Sequence, residues 1–127
     1  MRFTLVVVAW SLIAACSRTE PPVSPTPDPG EAPTANAYIL PGAVDLGANA
    51  FGDHPISIHR GERMRWRNAD TVAHTLVPDT GALPEFVTTG PLAPGAERSF
   101  IMATPGMTTF HCTDHPQMTG TLIVQDR

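Results

Sequence analysis

The chain has 127 residues, with 12 acidic side chains against 8 basic ones and a formal net charge of −4. That length suits one compact domain with terminal segments, and the acidic balance removes the electrostatic attraction on which nucleic-acid binding depends. All 8 basic residues are arginines, and the only cysteines are Cys16 and Cys112.

Arg2 opens an apolar run from Phe3 to Ala15, broken only by Thr4 and Ser11. Its charge, length and small-residue end are those of a secretory signal, and it is too short to span a bilayer. Two cysteines in an exported chain would ordinarily suggest a disulfide. However, Leu12-Ile13-Ala14-Ala15-Cys16 resembles the lipobox of bacterial lipoproteins. That resemblance implies a lipidated Cys16 as the first mature residue and leaves Cys112 as the only free thiol. An ordinary signal peptide cut nearby is the competing reading. Ser17 is, by the same resemblance, compatible with sorting to an outer membrane, with the protein on its periplasmic side. No twin arginine precedes the apolar run, so export of the unfolded chain by general secretion is expected.

Residues 17–35 hold six of the 14 prolines and almost no large apolar residue. Such a segment cannot bury a core and reads as an extended, semi-rigid linker, reaching up to roughly 60 Å at ~3.1 Å per residue. The expected organisation is a lipoprotein signal peptide over 1–15, a lipid-anchored Pro-rich linker over 16–35 and one domain over 36–127. A tether of this kind raises the effective concentration against partners on the same membrane.

Within 36–127, short segments of period-two alternation recur between Pro and Gly signals, the pattern of an all-β sandwich or barrel. Ile56 and Ile58 are expected to face inward with His59 outward, and Met64 and Trp66 inward between arginines. Phe100 to Met102, Thr108 to Cys112 and Gly120 to Val124 supply later strands, with turns at Pro94-Gly95 and Pro105-Gly106. No helical period of useful length is present. A domain this small buries little surface without a disulfide, so a bound metal is expected to add stability.

The chemistry concentrates in Cys112-Thr113-Asp114-His115-Pro116-Gln117-Met118, with His74 standing alone upstream. One thiolate, two imidazoles and one thioether form the donor set of a blue-copper electron-transfer site, with His, His and Cys trigonal around the ion and Met on a long axis. Soft sulfur donors suit Cu(I) and imidazole suits both oxidation states. The set therefore keeps its ion through a one-electron cycle. Zinc fits less well, because structural zinc sites use Cys and His without thioether. Phe110 and Cys112 share a strand face, which aims Cys112 inward at the strand end, while His74 is expected to arrive from a neighbouring strand.

These stretches carry a family resemblance. FHCTDHPQMTGTLIV resembles the C-terminal ligand loop of small bacterial cupredoxins, and the Cys-x-x-His-x-x-Met spacing looks more like amicyanin than like azurin or plastocyanin. MRWRNADTVAHTL is similar to the strand and loop that carry the first His ligand in that family, and GALPEFVTTGPLAPGAERSF also looks amicyanin-like. Over residues 36–127 the resemblance implies a Greek-key β-sandwich and one type 1 copper ion held by His74, Cys112, His115 and Met118. Thr75 departs from the family, which often has an Asn there to hydrogen-bond the ligand loop, and Asp114 replaces a Pro.

The function expected from these features is that of a membrane-tethered periplasmic one-electron carrier, not an enzyme, loaded with copper after export. It would be monomeric and would dock redox partner proteins transiently near His115, with no small-molecule substrate. The alternative is a copper-trafficking or resistance protein that hands its ion on. An enzyme needs acid or base groups converging on an open metal position, and Asp114 is the only carboxylate in the ligand loop.

Three further features have ordinary readings beside functional ones. His54, His59 and His111 are expected at the surface rather than in a second metal site. Arg60, Arg63, Arg65 and Arg67 form either a solvated strand face or a dock for an acidic partner. Leu83, Pro84, Phe86, Leu92, Met107 and Pro116 either make an exposed apolar patch at the copper end or pack in part into the core.

Overall fold

Alternation of apolar and polar residues builds the two sheets seen in a computed structural model of the protein, which describes residues 32–126. The signal-peptide expectation, the lipidation expected at Cys16 and most of the Pro-rich linker lie outside the described residues. One sheet has three strands: β1 (Thr34–Ile39) runs parallel to β3 (Arg63–Asn68), which pairs antiparallel with β5 (Glu97–Ile101). The other has four, in the order β2 (Ile56–His59), β7 (Thr119–Gln125), β6 (Gly106–Cys112) and β4 (Leu76–Pro78). In that sheet β2 is parallel to β7, and the β6 pairs are antiparallel.

The inward residues are those the alternation predicts. Met64 and Trp66 of β3, Ile58 of β2, Phe110 and Cys112 of β6, and Leu122 and Val124 of β7 are all buried. Trp66 anchors an aromatic cluster, with Phe110 edge-on at a centroid distance of 5.0 Å and Phe51 at 5.9 Å. Gly120 faces Phe110 across the β6–β7 ladder, and a Cβ there would come within 2.3 Å of Phe110 Cζ. The missing side chain of Gly120 is the space that Phe110 fills.

Several details differ from the expectations. The first strand begins at Thr34, two residues before the expected start of the domain at 36. Its inward residues, Ala35, Ala37 and Ile39, are mostly small and give little alternation signal. His74 belongs to no strand. It forms an isolated bridge with Leu92 and precedes β4, which has only 3 residues. A single-turn helix α1 (Ala43–Leu46) and a 3-10 turn (Gly47–Asn49) follow β1.

The apolar-patch reading gives way. Leu83, Phe86 and Leu92 are buried, while Pro84, Met107 and Pro116 are exposed. Leu83 lies against Gly106, and Met107 follows that glycine at the start of β6, the opposite end of the strand from Cys112. Loop residues carry no periodicity, so the sequence has no in-or-out signal for them.

Candidate metal centre

Strand β6 delivers Cys112 with its side chain inward, and the chain then doubles back. The Cys112 amide donates to the Met118 carbonyl at 3.1 Å, and the Met118 amide donates to the His115 carbonyl at 2.9 Å. The 7 residues from Cys112 to Met118 are thus a closed loop with Cys112 and Met118 fully buried and His115 half-buried. Pro116 fixes φ inside the turn. On its outer side the Gln117 amide reaches the Val44 carbonyl of α1 at 3.3 Å.

His74 is fixed from the other side. Its backbone exchanges hydrogen bonds with Leu92 at 3.1 and 2.8 Å, and the Leu76 amide donates to Thr89 Oγ1 at 2.9 Å. The Thr113 amide donates to the Thr75 carbonyl at 2.9 Å. The backbone of Thr75 thus ties the His74 segment to the loop that follows Cys112.

The result is a tight donor set. His74 Nδ1 and His115 Nδ1 each lie 3.7 Å from Cys112 Sγ, and the three donor atoms are all within 4.8 Å of one another. With metal–sulfur and metal–nitrogen bonds of about 2.3 and 2.0–2.1 Å, donors placed trigonally stand roughly 3.7–3.8 Å apart. The spacing therefore fits one ion between them. Two imidazoles and a thiolate, with a thioether buried on the same loop, are the donors of a type 1 copper site. A thiol that coordinates is deprotonated outright.

Behind His74 lies a buried polar network that no sequence motif announces. Asn68 Nδ2 donates to the Val72 carbonyl at 2.7 Å and to the Leu92 carbonyl at 2.9 Å, while its Oδ1 accepts from the Asp70 amide at 2.9 Å. The Asp70 carboxylate accepts from the amides of Thr71 at 2.8 Å and Gly42 at 3.0 Å, and its Oδ2 lies 2.8 Å from His74 Nε2. Burial pushes the Asp70 carboxyl up, but hydrogen bonds from His74, Thr71 and Gly42 outweigh it and hold the pKa down to about 2. The only sequence signal was a cluster of Asn, Asp and Thr at the end of a strand, which reads as a turn.

The remaining histidines do not join this centre. His54 and His59 are exposed, and His111, on the other face of β6 from Cys112, pairs with Asp79. Among the described residues, His74, Cys112 and His115 are the only group able to hold a metal with three such side chains. The arginines of β3 alternate with the buried Met64 and Trp66, and Arg63 is half-buried with its Nε enclosed. Arg65 and Arg67 share Glu97, and Arg60 pairs with Asp126.

Comparison with known proteins places this arrangement. No family model matches the chain. A purple cupredoxin from Nitrosopumilus maritimus superposes with a TM-score of 0.61, covering 72% of this chain and 99% of that one at 22% identity. The fold is that of the cupredoxins. A reduced Trp-to-Tyr mutant of amicyanin shares this cupredoxin fold with a TM-score of 0.59 and 19% identity, covering 72% of this chain and 82% of that one. In sequence, amicyanin of Paracoccus denitrificans is 28% identical over 100 residues, 76% of each chain.

Proposed function

We propose that this cupredoxin is a type 1 copper protein that carries single electrons between redox partners by cycling Cu(I) and Cu(II). His74, Cys112 and His115 are the trigonal ligands and Met118 is the axial one. The observation that carries the reading is the pair of equal 3.7 Å separations between Cys112 Sγ and the two imidazole Nδ1 atoms. A preorganised donor set of mixed hardness holds both oxidation states in one geometry, so little has to move when an electron passes. The similarity to amicyanin over 76% of the chain supports the same reading.

Of the three trigonal ligands His115 alone is only half-buried. Electrons pass through its edge, and partners dock transiently around it, beside the exposed Pro116 and Asp114. Four protein donors would fill the coordination of the ion, which suits a carrier better than an enzyme that keeps a position for its substrate. Closure of the centre by the Cys112–Met118 backbone bond also suits a carrier better than a trafficking protein, which must release its ion. The protein is exported and acts as a monomer on the periplasmic side, held to a bacterial membrane by a lipid on Cys16, with 1–15 as the signal peptide and 16–35 as the tether. The lipobox-like run ending at Cys16 and the proline content of the linker support this placement.

The test is to titrate the purified full chain with Cu(II) while recording visible and electron-spin spectra, then to reduce and reoxidise it. An intense thiolate-to-copper band that bleaches and returns is the expected result. A spectrum of tetragonal nitrogen and oxygen ligation sinks the proposal. Palmitate labelling of the wild type, lost in Cys16→Ser, is the corresponding result for the anchor.

A further inference from the structure

Asp70 is the one carboxylate in the buried class among the described residues. It also lies one imidazole ring away from the proposed copper position. Its Oδ2 is 2.8 Å from His74 Nε2, while the other nitrogen of the same ring, Nδ1, faces Cys112 Sγ. A carboxylate in such contact accepts a proton-bearing nitrogen, so the ring proton belongs on Nε2 and Nδ1 keeps its lone pair for the metal. The carboxylate is itself held by the amides of Thr71 and Gly42. It therefore cannot swing away without breaking both of those hydrogen bonds.

Resting on the copper reading, we propose that Asp70 is a positioning residue that selects the metal-binding tautomer of His74 and lowers the reduction potential of the site. The sign follows from charge. A buried anion hydrogen-bonded to a ligand makes that imidazole a stronger donor, and the extra donation and negative charge stabilise Cu(II) more than Cu(I). Removing the charge favours the reduced ion.

The position is built for this purpose from three segments. Asn68, at the end of β3, orients the Asp70 backbone through its side-chain oxygen. Gly42 brings in the loop that leads to α1, and α1 in turn accepts the Gln117 side chain of the ligand loop at the Val44 carbonyl. A carboxylate serving only as loop glue would be satisfied by Gly42 and Thr71. The third contact, to His74 Nε2, is the one that connects it to the metal.

The experiment compares wild type, Asp70→Asn and Asp70→Glu as full chains. In the metal-free wild type, nitrogen NMR of labelled histidine should show His74 protonated at Nε2 and bare at Nδ1. A proton on Nδ1 overturns the proposal without any copper being present. In the copper-loaded proteins, Asp70→Asn should keep the visible band but shift the preference towards Cu(I) by about tenfold, a rise of about 59 mV for one electron. Asp70→Glu, which keeps the charge, should stay nearer to wild type. An Asp70→Asn protein with an intact band and an unchanged potential refutes the role, because purely structural damage would lower the melting temperature and leave the potential alone. If Asp70→Asn does not fold, the wild-type tautomer and the Asp70→Glu potential decide. A wild type that never develops the band defeats the copper reading, and the His74 tautomer then decides on Asp70 alone.

Discussion

At the His74 end of the sandwich the chain buries Asn68, Asp70 and His74, each tied by hydrogen bonds, whereas at the opposite end, beside Met64, Leu83, Met102 and Val124, the buried polar side chain is Thr108, a neutral hydroxyl paired with Thr80 and the Thr109 carbonyl. Apolar packing stabilises a fold without regard to direction. Buried polar groups are costly unless paired, and pairing them fixes orientation. The molecule thus runs an apolar core through both ends and adds its buried carboxylate, imidazole and amide at one of them. The proposed ligands His74 and Cys112 sit at that same end.

Substitutions can break or sharpen that contrast. Cys112→Ser should abolish the visible band completely while the apo domain stays folded, as spectra and circular dichroism would show, because a hydroxyl supplies no thiolate to copper. Phe110→Ala removes the ring at the centre of the aromatic cluster and should cost about 3–5 kcal/mol in denaturant unfolding. That loss should be similar with and without copper, with the band position unchanged. A displaced band would mean that the two ends are mechanically coupled. Asn68→Ala leaves the Val72 and Leu92 carbonyls and the Asp70 amide short of a partner, and should cost about 3 kcal/mol. Unlike Phe110→Ala, it should also weaken copper binding, measurable by competition with a chelator. Met118→Leu should be the mildest, keeping the colour and raising the potential by removal of the axial donor. An unchanged potential would remove Met118 from the ligand set.

The contrast also has a pH dependence. The Asp70 carboxyl is held down to about 2, and that of Asp79 below its ordinary 3.8 by a hydrogen bond with Thr109, against some burial, and by His111. Groups with lowered folded values contribute stability that is complete above the unfolded value and lost as the pH falls through the folded one. The apo protein should therefore hold a constant unfolding midpoint down to about pH 4 and lose stability between about pH 4 and 2. Asp70→Asn should flatten part of that fall.

The features legible in the sequence were local ones. Cys112, His115 and Met118 fall within seven residues, and the alternation in Met64-Arg65-Trp66-Arg67 declares which face is buried. The parts that were not legible depend on distant partners. Asp70 looks like any turn residue until Gly42, 28 positions away, donates to it. Strand β1 is hidden because Ala35 and Ala37 carry little hydrophobic contrast after a proline-rich stretch, and β4 is too short to show a period. Leu83, Phe86 and Leu92 lie in loops, where burial follows from tertiary packing and no repeat announces it.

The parallel pairing of β1 with β3 sets a direction. Thr34 lies beside Arg63 and Ile39 beside Asn68, so β1 climbs towards the His74 loop from the far side of the domain. Strands of six residues cover on the order of 20 Å. The first residue of β1, Thr34, therefore lies at the end of its sheet away from the His74 loop. On the proposed reading, a tether reaching β1 at Thr34 would leave the His74 loop turned towards whatever approaches from solution or from an opposing surface.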